Sequence, residues 1–151
     1  MAQRESVRDF LTSRPAPSVR YRVEVLVEPK PGPNGMAYRV GAERRVLPWR
    51  LVERVLVAEV GEPEGVRTVI FDLVVERKRD ECLVFRFDAD PTEDARRVAE
   101  TVRLQLEGSA ISPSLHELVD EGISTRKYPD LDILAEASLA ELGLAADSPF
   151  S

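Results

Sequence analysis

Hydrophobic residues recur at every second position through much of residues 21–87, and from Asp90 onward they recur at the three-and-four spacing of a helix. This change of period divides the chain into a strand-rich body followed by helices. Tyr21, Val23, Val25 and Val27 share one side of a first strand, with Arg22, Glu24 and Glu28 largely on the other, the pattern of a half-buried strand. Pro29, Pro31 and Pro33 remove backbone donors and Asn34-Gly35 favours positive φ, so residues 29–35 predict a protruding hairpin loop. A strand region over residues 36–47 follows, bent or bulged at Gly41, and Pro48-Trp49 ends it. Residues 51–60 and 67–77 predict a hairpin across the turn Gly61-Glu62-Pro63-Glu64-Gly65. After a charged tip at Lys78-Arg79-Asp80, the next strand is expected to place Leu83, Phe85 and Phe87 inward and Arg86 and Asp88 outward. The expected sheet is a meander with short connections.

The helical part opens on Asp90-Pro91-Thr92-Glu93. Asp90 can cap, Pro91 takes the first helical position and Glu93 supplies the reciprocal acid of a capping box. Ala95, Val98, Ala99, Val102 and Leu106 form one narrow apolar stripe facing the sheet, and Gly108 offers the stop. Ser114-Leu115-His116-Glu117 predicts a second capping box and a short helix ending at Gly122. A third helix starts near Pro129 or Asp130 and carries Leu131, Leu134, Leu139 and Leu142 before Gly143. At the other end, Val7, Phe10 and Leu11 suggest a helical turn halted by Pro15 and Pro17. The expected organisation is a lead-in segment over residues 1–19, a sheet-and-helix domain over 20–108 and a helical tail over 109–151.

Composition narrows the class. With 151 residues and 43% hydrophobic content, one core can form without a metal or disulfide staple. A single cysteine, Cys82, forms no internal disulfide and fits a reducing compartment; with no apolar leader and no run near the roughly 18 apolar residues of a membrane span, a soluble cytoplasmic protein is expected. The net charge of −6 resides in the tail, where eight carboxylates face only Arg126 and Lys127, while residues 1–108 balance at 19 acidic and 19 basic. Neither part has the one-sided basic surface of a nonspecific nucleic-acid binder.

The order of elements, with Trp49 at the boundary in Leu47-Pro48-Trp49-Arg50-Leu51-Val52 and Phe85-Arg86-Phe87-Asp88 leading into one long helix, resembles the pleckstrin-homology-like fold in its bacterial versions. The resemblance covers about residues 20–108. It implies an α+β domain, a bent antiparallel sheet or partly open barrel of five to seven strands closed by one C-terminal helix. It also implies a binding module for phosphoinositides, peptides or other domains. The tryptophan common in the closing helix of eukaryotic members is replaced here by Val102 or Leu106.

Candidate chemistry is sparse. His116 is the only histidine, which excludes a multi-histidine metal site, and it fits a surface helix position. Cys82 lies on the strand face opposite Leu83 and Phe85 and reads as structural. Asp88, Asp90, Glu93 and Asp94 could gather a hard cation, but helix capping accounts for them. Arg77, Lys78 and Arg79 are neutralised by Glu76, Asp80 and Glu81. Trp49, flanked by Leu47, Leu51 and Val52, is expected to be buried. No catalytic residue, cofactor or metal site is therefore expected, and the chain reads as a protein interaction or scaffold module. Its candidate partner-binding residues are Leu131, Leu134, Leu139 and Leu142, which need either the chain's own sheet or another chain to lie on. The alternative is a domain for an anionic headgroup or small molecule using Lys30, Arg39, Arg44, Arg45 and Arg50.

Overall fold

The structure is a computed structural model and describes residues 19–89 and 93–144. Eight strands and three α-helices occur in them: β1 (Arg20–Val25), β2 (Val27–Pro31), β3 (Gly35–Val40), β4 (Glu43–Pro48), β5 (Arg54–Val60), β6 (Thr68–Arg77), β7 (Glu81–Ala89), α1 (Glu93–Gln105), α2 (Pro113–Glu121), β8 (Lys127–Tyr128) and α3 (Leu131–Glu141). The fold is α+β, with a strongly curled five-stranded sheet ordered β1-β7-β6-β5-β8 and a second, three-stranded sheet ordered β2-β3-β4.

The β5–β6–β7 meander forms as the alternation predicts, with Val57 opposite Phe71 and Phe71 opposite Phe87. Those two phenylalanine rings stack with centroids 4.7 Å apart. This side of the sheet packs against Ala95, Ala99, Val102 and Leu106 of α1 and Leu115, Leu118 and Val119 of α2, and against Met36, Leu47 and Trp49 from the small sheet and its exit. The other side is also covered: Leu56, Val74, Cys82 and Val84 pack with Leu139 and Leu142, and Ala58 and Ile70 with Leu134. Burial on both faces explains why β6 reads as a nearly unbroken apolar run rather than a strict alternation.

Several expectations change. Pro29, Lys30 and Pro31 belong to β2, with Lys30 opposite Ala37 and Pro31 opposite Met36, so the loop is confined to residues 32–34. Residues 36–47 are not one bent strand but the β3–β4 hairpin, closed by Gly41-Ala42 with Gly41 at φ 61°. The first strand is split at Leu26, whose side chain enters the core and whose N–H donates to the Arg86 carbonyl at 2.8 Å. Its two halves join different sheets, and β1 runs parallel to β7, so the sheet is mixed and not a simple meander. The α2 cap is Ser112, whose hydroxyl accepts from the Leu115 N–H, with Pro113 at the first helical position; Ser114 is buried instead. Arg86 points inward, only 8% exposed, because its face of β7 is covered by the tail. The capping box at Asp90 and the turn around Val7, Phe10 and Leu11 lie outside the described residues.

The segment after Gly108 also finishes the edge of the main sheet. Ile111 bridges to Val55, the Val57 N–H donates to Ser114 Oγ at 3.0 Å, and β8 pairs with Glu59 and Val60. An unpaired strand edge is a template for unwanted association, and here the chain covers its own. No helix among the described residues is long and apolar enough to cross a membrane.

Candidate functional site

The small sheet carries the most accessible chemistry. Residues opposite one another share a face, so the β2–β3 and β3–β4 registers place Val27, Lys30, Ala37, Arg39, Arg44 and Val46 together on the outward side. Val27 and Val46 are 45% and 50% exposed there. Glu28 sits in the bulge of β2 with φ 50°, a left-handed conformation unusual for glutamate, and its carboxylate reaches across to Arg39 at 3.6 Å and Arg44 at 3.5 Å. One carboxylate thus serves two guanidinium groups in an exposed pair geometry of little net strength.

The five candidate anion-binding residues therefore do not converge. Lys30, Arg39 and Arg44 share the outward face. Arg45 lies on the other face opposite Tyr38 and pairs with Glu43 at 3.2 Å. Arg50 stands in the 3-10 turn after β4 and lines a separate groove of about 330 Å³ with Trp49, Val52, Gln105, Leu106, Glu107 and Ala110. Trp49 is buried as expected, and its indole N–H donates to the Gly32 carbonyl at 2.7 Å, tying the loop before β3 to the turn after β4.

The four leucines of the tail meet the chain's own sheet to different degrees. Leu134 and Leu142 are 1% and 8% exposed against it, and Leu139 packs on the same cluster, whereas Leu131 stays 45% exposed. Arg126 fastens this arrangement. It donates to the Val57 carbonyl and to Ser138 Oγ, both at 3.0 Å, and its Nε lies 3.1 Å from Glu141. Its guanidinium also lies over the Tyr128 ring, 5.4 Å from the centroid.

On this tail-covered face of the sheet is a charged cluster that the sequence reading missed. Asp72 of β6, 1% exposed, stands opposite Arg86 of β7, which donates to it through Nε at 2.7 Å and Nη2 at 2.9 Å. Tyr21 of β1 adds its hydroxyl to the same carboxylate at 2.8 Å. Burial on its own would lower the Arg86 pKa, but the hydrogen bonds and charge of Asp72 hold it above the ordinary value. Burial first, then the Asp72 charge, pushes the Tyr21 phenol far above its ordinary range. A signal existed: Asp72 interrupts the apolar run Val69-Ile70-Phe71-Asp72-Leu73-Val74, where a lone charge needs a partner.

The remaining reactive types are quiet. Cys82 is fully buried, and burial raises its thiol to about 11, which suppresses the thiolate. His116 lies exposed on α2, its Nδ1 3.1 Å from Arg103, which also donates to Asp120 at 2.8 Å. Among the described residues, no three His, Cys, Asp or Glu side chains gather to hold a metal ion. Comparison of the chain with known protein families, with curated proteins and with solved structures found no match.

Proposed function

We propose that this protein is a non-catalytic interaction module that docks another protein on the outward face of its small sheet. The observation that carries this reading is the face itself: Val27 and Val46, about half exposed, stand among Lys30, Arg39 and Arg44 on a sheet that, among the described residues, has no strand beyond β4. Across the three strands the rows run Lys30–Ala37–Val46 and Val27–Arg39–Arg44, so aliphatic side chains alternate with cations, and arginine beside exposed aliphatic area suits a protein contact surface. The tail supports the same reading by exclusion, since Leu134 and Leu142 are already spent on the chain's own core. The binding modules of the pleckstrin-homology-like fold, which the element order resembles, agree with such a role. The scattering of Arg45 and Arg50 away from the other three cations disfavours a pocket for a small anion.

The test is a photoreactive residue placed in the full chain at Val27 or Val46, with Leu104 and Val66 as exposed control positions on other elements. The reading expects a discrete protein adduct from the two sheet positions and none from the controls. Adducts spread evenly over all four positions, or none at any, would overturn it.

A further inference from the structure

We infer that the occupant of this surface is an acidic segment in extended conformation, added as a further strand along the free edge of β4; this rests on reading the small sheet as the docking surface. In an antiparallel hairpin hydrogen-bonded pairs alternate, and the two-residue turn makes Val40–Glu43 a bonded pair. Tyr38–Arg45 and Met36–Leu47 are then bonded as well, so Arg44 and Val46 direct their N–H and C=O groups away from the sheet. Among the described residues nothing bonds to those groups. Pro48 has no N–H and ends the row. The edge therefore offers a short stretch of main-chain pairing, and side chains must supply the rest of the affinity.

Charge says which side chains. Residues 27–50 hold five cations, Lys30, Arg39, Arg44, Arg45 and Arg50, against Glu28 and Glu43, a net +3 on a chain of net −6. Lys30 and Arg50 have no carboxylate within ion-pair distance among the described residues, and Arg39 and Arg44 share Glu28 through contacts of 3.6 and 3.5 Å. A carboxylate arriving opposite Arg44 meets an under-neutralised cation. Because Arg44 and Val46 share the outward face, the residue two positions along the incoming strand lies on Val46 and is best aliphatic. The segment is thus an acid and an aliphatic residue two positions apart within an extended acidic stretch. A second copy of this chain is disfavoured as the occupant, because two-fold pairing of β4 with β4 sets Arg45 opposite its copy when centred on Arg45 and Arg44 opposite its copy when centred on Arg44.

The experiment is an amide-resolved NMR titration of the full chain with three probes: a short peptide alternating glutamate and valine, its lysine–valine counterpart, and the glutamate peptide interrupted by prolines. Only the first is expected to give saturable shifts, centred on Arg44 and Val46 and reduced by added salt. Val46→Pro, which removes an outward N–H and no internal hydrogen bond, should weaken binding about fivefold to tenfold. Arg44→Glu should weaken it by at least about tenfold and carries the test if the proline variant does not fold. Equal binding of the lysine peptide, shifts centred on α3 or on the Trp49 groove, or indifference to both variants would overturn the inference. So would shifts that grow with protein concentration alone, or stronger perturbation of β4 by anionic vesicles than by the peptide. Photoadducts at Val27 and Val46 without peptide binding would overturn the acidic-strand inference and leave the docking face standing; loss of both would overturn the docking face as well.

Discussion

Replacing Asp72 by leucine leaves Arg86 as an unpaired guanidinium with a side chain only 10% exposed, under a tail that gives water little access. Breaking one half of a buried pair costs about 3 to 5 kcal/mol, because the remaining charge stays desolvated without compensation. Arg86→Met strands the Asp72 carboxylate, whose side chain is 2% exposed and then keeps only the Tyr21 hydroxyl, and the same range applies. The double variant behaves differently. With both charges gone and similar volume restored, the desolvation cost disappears with the attraction, and replacing such pairs is neutral or stabilising by about 1 to 4 kcal/mol. Tyr21→Phe within the double variant removes the hydroxyl that has lost its acceptor. Urea unfolding of the wild type, both single variants and the double variant measures the coupling, provided the slope of the transition is unchanged. The expected pattern is two damaging single changes and one mild double change, a coupling of several kcal/mol. Additive losses, or single losses below about 1 kcal/mol, would mean that the pair is hydrated and that the tail does not seal this face.

The buried groups predict an alkaline limit. Cys82 is raised from 9.0 to about 11 and Tyr21 from 10.0 to a value above it, so their stabilisation is complete below pH 9 and is lost as pH rises beyond it. Melting temperature should be flat from neutrality to about pH 9 and fall thereafter, with Cys82→Ala reducing the early part of the fall. The folded protein should also react with thiol reagents only after urea opens it. A side chain at Gly35, at φ 157°, would collide with the Leu47 carbonyl across the β3–β4 pair. Gly35→Ala should cost more than Gly41→Ala, which meets open space and bears only the backbone term of about 1 to 2 kcal/mol; equal urea midpoints would refute the close approach. A chain ended at Gly108 loses Leu115, Leu118 and Val119 from the main core and uncovers β5. It should aggregate or melt without cooperativity, whereas a soluble monomer by light scattering with a sharp transition would contradict the packing.

Local signals carried most of the architecture. The Gly61–Gly65 turn between two alternating runs predicts the β5–β6 hairpin, and Ala95, Ala99, Val102 and Leu106 predict the buried stripe of α1. What escaped depends on distant partners. The parallel pairing of β1 with β7 joins residues some sixty positions apart, and nothing in Tyr21–Val25 specifies it. The inward turn of Arg86 was concealed by assuming one buried face, although Cys82 and Val84 on its side of β7 are as apolar as Leu83 and Phe85 on the other. Gly41-Ala42 is a weak turn signal, and so β3 and β4 read as one strand. The proposed docking face inherits that error. Only once the hairpin folds back do Arg39 and Arg44 become cross-strand neighbours, and Val46 come to lie opposite Ala37.

Hydrogen exchange of the full chain, free and bound to the protein captured through Val27 or Val46, locates the docking surface residue by residue. Added protection is expected on the small sheet alone, strongest at the outward amides of Arg44 and Val46, with α3 and its Arg126 contacts unchanged. Protection that instead appears on α3, or loss of protection there as the tail is displaced, would contradict that expectation and return the binding surface to the leucines of the tail.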